Sequence, residues 1–321
     1  MYTKYNKLIN LVILLAISFS SWAVDTHKLE LISALPIDGV DDFQPSGMTT
    51  CNGKLLVVSD KHNEIYVINE DKDSVKAKVF LTLKEVSAEP DQDLPTIQAI
   101  TRWLDFLVRG KHYDWEGITC DVQNRIVALS ESYSSIANIN SDGQIEWIPV
   151  RIFDTAHKAG MLNKYNVGFE GIAWHKDKLY VVAERQDRGF VEIELTSSKW
   201  EVVLAKTNID RQLQDTVNSS RQEDFTGLFS DGDWIYTLER NASALCSRNG
   251  VSFELIECWS YLDTETSPEY VYSDAEFGLG EGVTIKDGYV YIVMDNNGYS
   301  RNKKANDTRP LLLKFTFNKK N

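Results

Sequence analysis

Short runs of apolar and β-branched residues, each closed by an acid, recur along this chain as LLVVSD, IVALSE, LYVVAE, IYTLE and VYIVMD. Each run follows a polar residue and a glycine: Ser46-Gly47-Met48, Glu116-Gly117-Ile118, Glu170-Gly171-Ile172, Thr226-Gly227-Leu228 and Glu281-Gly282-Val283. From glycine to acid the steps are 13, 14, 13, 12 and 13 (Gly47 to Asp60, Gly117 to Glu131, Gly171 to Glu184, Gly227 to Glu239, Gly282 to Asp295). The pattern predicts a strand opened by the glycine, a polar turn, and a second strand ending at the acid. A second pair follows, as in FVEIEL and WEVVL of the third repeat. Four short antiparallel strands per repeat describe a propeller blade. The fold expected is an all-β, five-bladed β-propeller.

The glycines at 117, 171, 227 and 282 are spaced by 54, 56 and 55 residues, but 47 and 117 by 70. The excess falls in 85–112, where Ile97, Ile100, Trp103, Leu104 and Leu107 recur at helical intervals, so a helical insertion between two blades is expected. Six blades remain open if that stretch holds a degenerate one. The last repeat has three strands after Glu281, ending in LLLKFTF at 311–317. Its missing fourth is available in LELISAL at 29–35, and pairing the two ends would close the ring and remove an exposed edge.

Hairpin pairing then places the acids. With the turn of the second repeat near Gln123 and Asn124, Glu116 falls opposite Glu131. By the same count Glu170 lies beside Ala183 or Glu184, and Glu281 beside Met294 or Asp295. One mouth of the channel should carry an inner ring of Ser46, Glu116, Glu170, Thr226 and Glu281, with Asp60, Glu131, Glu184, Glu239 and Asp295 around it. The long loops leave from the same end. So many carboxylates need a cation, an arginine or retained protons. Calcium takes six to eight oxygens, while Arg185 and Arg240 each follow an outer acid and can pair with it. His62 and His112 are expected near that mouth as ligands or proton carriers.

Residues 1–23 read as an export signal: Lys4 and Lys7, an apolar run from Leu8 to Phe19, and Ser21-Trp22-Ala23 before the cut. The run is too short to span ~30 Å of hydrocarbon. No other stretch is apolar enough to span a membrane, so 24–321 is expected to form a single propeller domain, monomeric and periplasmic or secreted. A net charge of -13 argues against nucleic acid. Cys51, Cys120, Cys246 and Cys258 permit disulfides in an oxidising compartment. Cys51 and Cys120 lie at matching places on neighbouring inner strands and are the expected pair. A two-residue turn at Asn249-Gly250 would set Cys246 opposite Phe253, five residues from Cys258, which disfavours a Cys246–Cys258 bond.

The segments DWEGITCD–IVALSE and GFEGIAWHKDKLYVVAER, with their EGI/EGV starts and the VVAER and LERN strand ends, resemble the "esterase-like activity of phytase" family of exported propellers. They are also similar to SdiA-regulated periplasmic propellers and, more remotely, to gluconolactonase-type ones. In the last group the residue before the blade glycine supplies divalent-metal ligands. The carry-over falls on Glu116, Glu170 and Glu281, which the resemblance implies as catalytic and, with Asp295, as metal ligands. The implied function is a calcium-dependent hydrolase of phosphate or carboxylic esters. Arg185, Arg240, His62 and His112 would then meet a small anionic ester. The competing expectation is a non-catalytic propeller binding a ligand or an envelope partner through the same face.

Overall fold

The computed structural model describes residues 26–317, apart from 87–88, 91, 93, 95, 111, 165–166, 186, 208–223, 274 and 276–277. The expected export signal at 1–23 and residues 208–223 lie outside the described residues. The chain opens with β1 (Thr26–Lys28) and β2 (Glu30–Asp38), followed by β3 (Pro45–Cys51), β4 (Lys54–Ser59), β5 (Glu64–Asp71) and β6 (Ser74–Thr82). Helix α1 (Thr96–Arg109) leads to β7 (Trp115–Cys120), β8 (Ile126–Ser130), β9 (Ser135–Ile139) and β10 (Ile145–Trp147). Helix α2 (Ile152–Lys158) precedes β11 (Phe169–His175), β12 (Lys178–Ala183), β13 (Gly189–Thr196) and β14 (Lys199–Thr207). Then come β15 (Gly227–Ser230), β16 (Ile235–Glu239), β17 (Ala244–Arg248), β18 (Leu255–Ser260), helix α3 (Leu262–Glu265), β19 (Gly280–Lys286), β20 (Tyr289–Met294) and β21 (Leu311–Thr316).

Each run β3–β6, β7–β10, β11–β14 and β15–β18 pairs antiparallel in chain order, and β19–β21 continue into β2. The innermost strands β3, β7, β11, β15 and β19 touch in that order, and β19 touches β3 again. The molecule is an all-β propeller. Turn chemistry fits the sequence: Asn52-Gly53 and Asp287-Gly288 both take positive φ (47° and 73°; 52° and 78°), as a tight hairpin turn requires. The helix expected in 85–112 is α1.

The recurrent glycine has a packing cause. A Cβ at Gly47 would lie 2.8 Å from the Gly117 Cα, and one at Gly282 would lie 2.7 Å from the Met48 nitrogen. Neighbouring innermost strands approach so closely that no side chain fits between them. Away from the axis the faces of adjacent sheets interlock through apolar side chains. Leu129 and Ile136, for example, share a fully buried cluster with Phe169, Val181 and Val191.

The terminal strands meet as expected: Glu30 to Pro36 pair antiparallel with Thr316 to Leu311. The same segment reaches further. β1 runs parallel to β18 through Thr26↔Cys258, and the end of β2 runs parallel to β6 through Ile37↔Val75. Residues 26–38 therefore cover three successive outer edges.

Both cysteine pairs are bonded, Cys51–Cys120 with Cα atoms 5.8 Å apart and Cys246–Cys258 at 4.1 Å. The first joins β3 to β7, as expected. The second corrects the expected hairpin register. Asn249-Gly250 does not form a two-residue turn. The Asn249 side chain accepts hydrogen bonds from the Val251 and Ser252 nitrogens, and the loop is closed by Phe253 N–H donating to Asn249 O and Asn249 N–H donating to Glu254 O. Phe253 leaves the strand to stack on Phe190 at 4.4 Å. With Arg248 paired to Leu255 and a bulge after Ser247, Cys246 comes opposite Cys258.

Candidate functional site

In four of the five repeats the residue before the blade glycine is an extra residue in its strand. Trp115 pairs with Ser130 and Gly117 with Leu129, leaving Glu116 between them without a cross-strand partner. Phe169↔Ala183 and Gly171↔Val182 isolate Glu170 in the same way, and Gly280↔Met294 and Gly282↔Val293 isolate Glu281. Ser46 sits in the matching bulge of β3. A bulge re-aims a side chain that strand alternation would send to the face of the sheet. It also overturns the expected pairing of Glu116 with Glu131.

The two hydroxyl positions of the inner ring have a different task. Ser46 Oγ donates to the Trp115 carbonyl, and Thr226 Oγ1 donates to the Gly280 carbonyl at 2.7 Å. Each braces the neighbouring strand one residue before its glutamate. Here the departure from an acid fixes the adjacent bulge.

The bulges deliver Ser46, Glu116, Glu170 and Glu281 to one cavity of about 260 Å³, lined also by Asp60, Glu184, Arg185, Arg240, Asp295 and Asn297. Arg240, 7% exposed, is its main internal cation. Its Nε donates to Asp224 Oδ2 at 2.9 Å, Nη2 to Glu184 Oε1 at 2.7 Å, and Nη1 to Glu281 Oε1. Arg185 Nη1 lies 2.7 Å from Glu184 Oε1. Glu281 Oε2 is buried with no hydrogen-bond partner.

The cation-poor side of the mouth lies at the second repeat. Asp114, Glu116 and Glu131 each offer an oxygen, and these three atoms lie within 4.8 Å of one another. Asp114 sits at φ 52°, a left-handed turn that an aspartate tolerates, and its carbonyl accepts from Glu131 N–H at 2.9 Å. The Asp114 carboxyl beside Glu131 helps to raise the Glu131 pKa. An all-oxygen donor set suits a hard divalent cation such as calcium or magnesium. Glu116 is the one member of this set among the expected ligands Glu116, Glu170, Glu281 and Asp295. Asp114 was missed because its contribution depends on backbone handedness, which side-chain pattern does not encode.

Crowding sets the protonation. Desolvation, then the charges of Glu170, Asp114, Glu131 and Glu281, hold Glu116 well above the usual carboxylate range. Burial, then Glu184, Glu131 and Glu281, do the same to Glu170. Burial, Asp114 and Glu184 lift Glu131 to about 8. Burial lifts Glu281 to about 8 against the opposing pull of Arg240. Asp295, raised mainly by burial to about 6, accepts a 2.9 Å bond from Asn297 N–H. Glu239 differs from the other outer acids. Burial pushes its pKa up, but Arg188 and Arg248 pair with it and bring the net shift down.

The histidines do not join the site. His62 Nδ1 bonds the Tyr66 hydroxyl at 3.0 Å, and His112 packs edge-on against Phe106 of α1. Neither lines the cavity, because each turns to an aromatic ring on its own side of the loop.

Residues 106–230 match the SdiA-regulated family. The SdiA-regulated match spans Asp114, Glu116, Glu131, Glu170, Glu184 and Asp224, while Arg240 and Glu281 lie beyond it. No curated protein matches the chain. Among solved structures, the Myxococcus xanthus glutaminyl cyclase superposes with a TM-score of 0.52 at 10% identity, covering 92% of this chain and 100% of that one. The PQQ-bound aldose sugar dehydrogenase of Streptomyces coelicolor gives 0.46 at 13% identity, covering 89% and 97%. The Xanthomonas campestris gluconolactonase XC5397 gives 0.41 at 10% identity, covering 89% and 98%. The cyclase likeness shows a shared propeller fold.

Proposed function

We propose that this protein is an exported, monomeric, five-bladed propeller that hydrolyses a small anionic phosphate or carboxylic ester with a divalent cation, calcium first among them. The count of five follows the ring of innermost strands β3, β7, β11, β15 and β19. Export is supported by the two disulfides and by the apolar run at 8–19. One observation carries the chemical reading: Glu116 belongs both to the oxygen-donor set Asp114, Glu116 and Glu131 and to the cavity that Arg185 and Arg240 line. A cation held there would polarise an ester oxygen and acidify water. Arg185 and Arg240 would receive the anionic end of the substrate. Glu170, kept protonated by burial and by its acidic neighbours, can give its proton to a leaving alkoxide. Glu281, clamped by Arg240, fixes the guanidinium.

Arg240 already neutralises Glu184 and Glu281, and that observation favours a second reading, an envelope-binding propeller without turnover. Hydrolysis of model phosphate and carboxyl esters, with calcium and with chelator, separates the two. Calcium-dependent turnover that disappears in Glu170→Gln is expected. Absence of turnover on every ester, with calcium still raising the melting temperature, would leave the binding reading in its place.

A further inference from the structure

The segment 26–38 covers the outer edges of β21, β18 and β6. Among the described residues the outer strands β10 and β14 carry no added strand. At β10 the bare edge is set in a cavity of about 830 Å³, between the loop after β6 and the start of β14. Antiparallel pairing decides which groups face it. Ile148 N–H donates inward to Ile136 O at 2.8 Å, and Asn140 N–H donates to Gln144 O at 2.9 Å. Strand alternation then turns the backbone N–H and C=O of Ile145 and Trp147 away from β9, and both residues line the cavity. Pro149 has no N–H to add, so the offered donors end at Trp147.

We propose that this edge takes one extended peptide segment of another protein, as a fifth strand of the second blade. The spacing of the open groups points to that occupant. Donor and acceptor pairs two residues apart recur every ~6.7 Å, the repeat of an extended chain. The molecule already uses this mode twice, since Thr26–Lys28 joins β18 and Ile37–Asp38 joins β6, both in parallel. The walls supply side-chain contacts as well. Ile148, Val150, Trp200 and Val202 carry the apolar core between the second and third blades out to the cavity, where alternate apolar residues of a strand would pack. Two polar atoms on the lining residues, Trp147 Nε1 and Gln92 Oε1, are buried without a hydrogen-bond partner. Gln92 Nε2 donates to Val150 O at 2.9 Å and so ties the loop to the blade. An orphaned donor and an orphaned acceptor suit a backbone, which offers both. A second copy of the chain fits poorly, because the edge is recessed: Ile145, Ile148 and Val150 are buried, so a single strand can enter where a folded sheet cannot. The inference goes beyond the hydrolase reading and does not depend on it.

The test is selection of a phage-displayed library of random linear heptapeptides on the chain beginning at Val24; every described element lies within 26–317. Enrichment of sequences with alternating β-branched or aromatic residues is expected. A synthetic copy of a selected peptide should slow amide hydrogen exchange at Ile145 and Trp147 several-fold. Copies methylated on alternate backbone nitrogens separate pairing from mere packing: one frame should bind at least tenfold more weakly, and the other should bind as before. Thr155→Trp, which fills the cavity from α2, should lose the peptide and keep the wild-type melting temperature. Absence of enrichment would overturn the proposal, as would tolerance of both methylated frames or unchanged exchange at Ile145 and Trp147. Protection of those two amides that rises with protein concentration, without peptide, would give the edge to a second copy instead.

Discussion

Arg240 and Glu184 meet at 2.7 Å across two repeats, one following β16 and the other following β12. The same guanidinium holds Asp224 and Glu281, so one side chain ties three elements at the mouth. Asp224 is fully buried and also accepts from Asn241 N–H at 2.9 Å, which fixes the turn carrying Arg240. Removing one partner of a buried charge network strands the others. Arg240→Met should therefore cost about 3–5 kcal/mol. The loss should be smaller near pH 5, where the stranded carboxyls take protons. Urea unfolding at pH 5 and pH 8 reads both.

The two disulfides should contribute unequally. Cys51–Cys120 spans 69 residues and joins neighbouring innermost strands, whereas Cys246–Cys258 spans 12 within one hairpin. Loop-closure entropy assigns about 4 kcal/mol to the first and about 3 to the second. Replacing Cys51 and Cys120 by alanine should lower the denaturation midpoint more than replacing Cys246 and Cys258. An equal or reversed order would show that native packing, and not chain entropy, dominates.

These pairs show what the amino-acid pattern could and could not reveal. The strand repeats, α1 and the Cys51–Cys120 contact follow from spacing, because glycine, β-branched runs and helical periodicity are local signals. The meeting of Glu116, Glu170 and Glu281 was also legible, since each opens an innermost strand. The bulges were not, because an unpaired residue leaves the alternation of its neighbours unchanged. The same blindness hid Asp114, which depends on a positive φ, and the wide loop at 249–254, where Phe253 gains more by packing on Phe190 than by staying in a strand. His62 and His112 were misplaced because loop position fixes the end of the molecule and not the side-chain direction.

The segment 26–38 should be indispensable despite its terminal position. Its removal would strip the partner from β21, whose Leu311, Leu313 and Phe315 are fully buried, and would uncover the edges of β18 and β6 as well. Unpaired apolar edges recruit other chains. A chain beginning at Gly39 should elute as aggregate in size-exclusion chromatography, where the chain beginning at Val24 should elute as a monomer.

The last expectation concerns pH and metal together. Glu131 and Glu281 titrate near 8 in the fold, and Glu116 and Glu170 are also raised, against about 4.3 for an unperturbed glutamate. The folded state thus binds more protons than the unfolded chain between those limits. By linkage, stability is highest below the unfolded pKa and falls as pH rises through the folded values. Without added metal, the melting temperature should decline from about pH 5 to pH 8. A divalent cation at Asp114, Glu116 and Glu131 competes with the protons on Glu116 and Glu131, so its effect should grow over the same interval. Calcium should restore much of the loss at pH 8 and do little at pH 5. Glu116→Gln removes both a charge and a ligand: it should raise the metal-free melting temperature at pH 8 and abolish the response to calcium. Glu170→Gln should share the first effect and only weaken the second, since Glu170 lies outside the donor set. If calcium, magnesium and manganese all leave the wild-type melting curve unmoved at pH 8, the acids are held by protons and arginines alone.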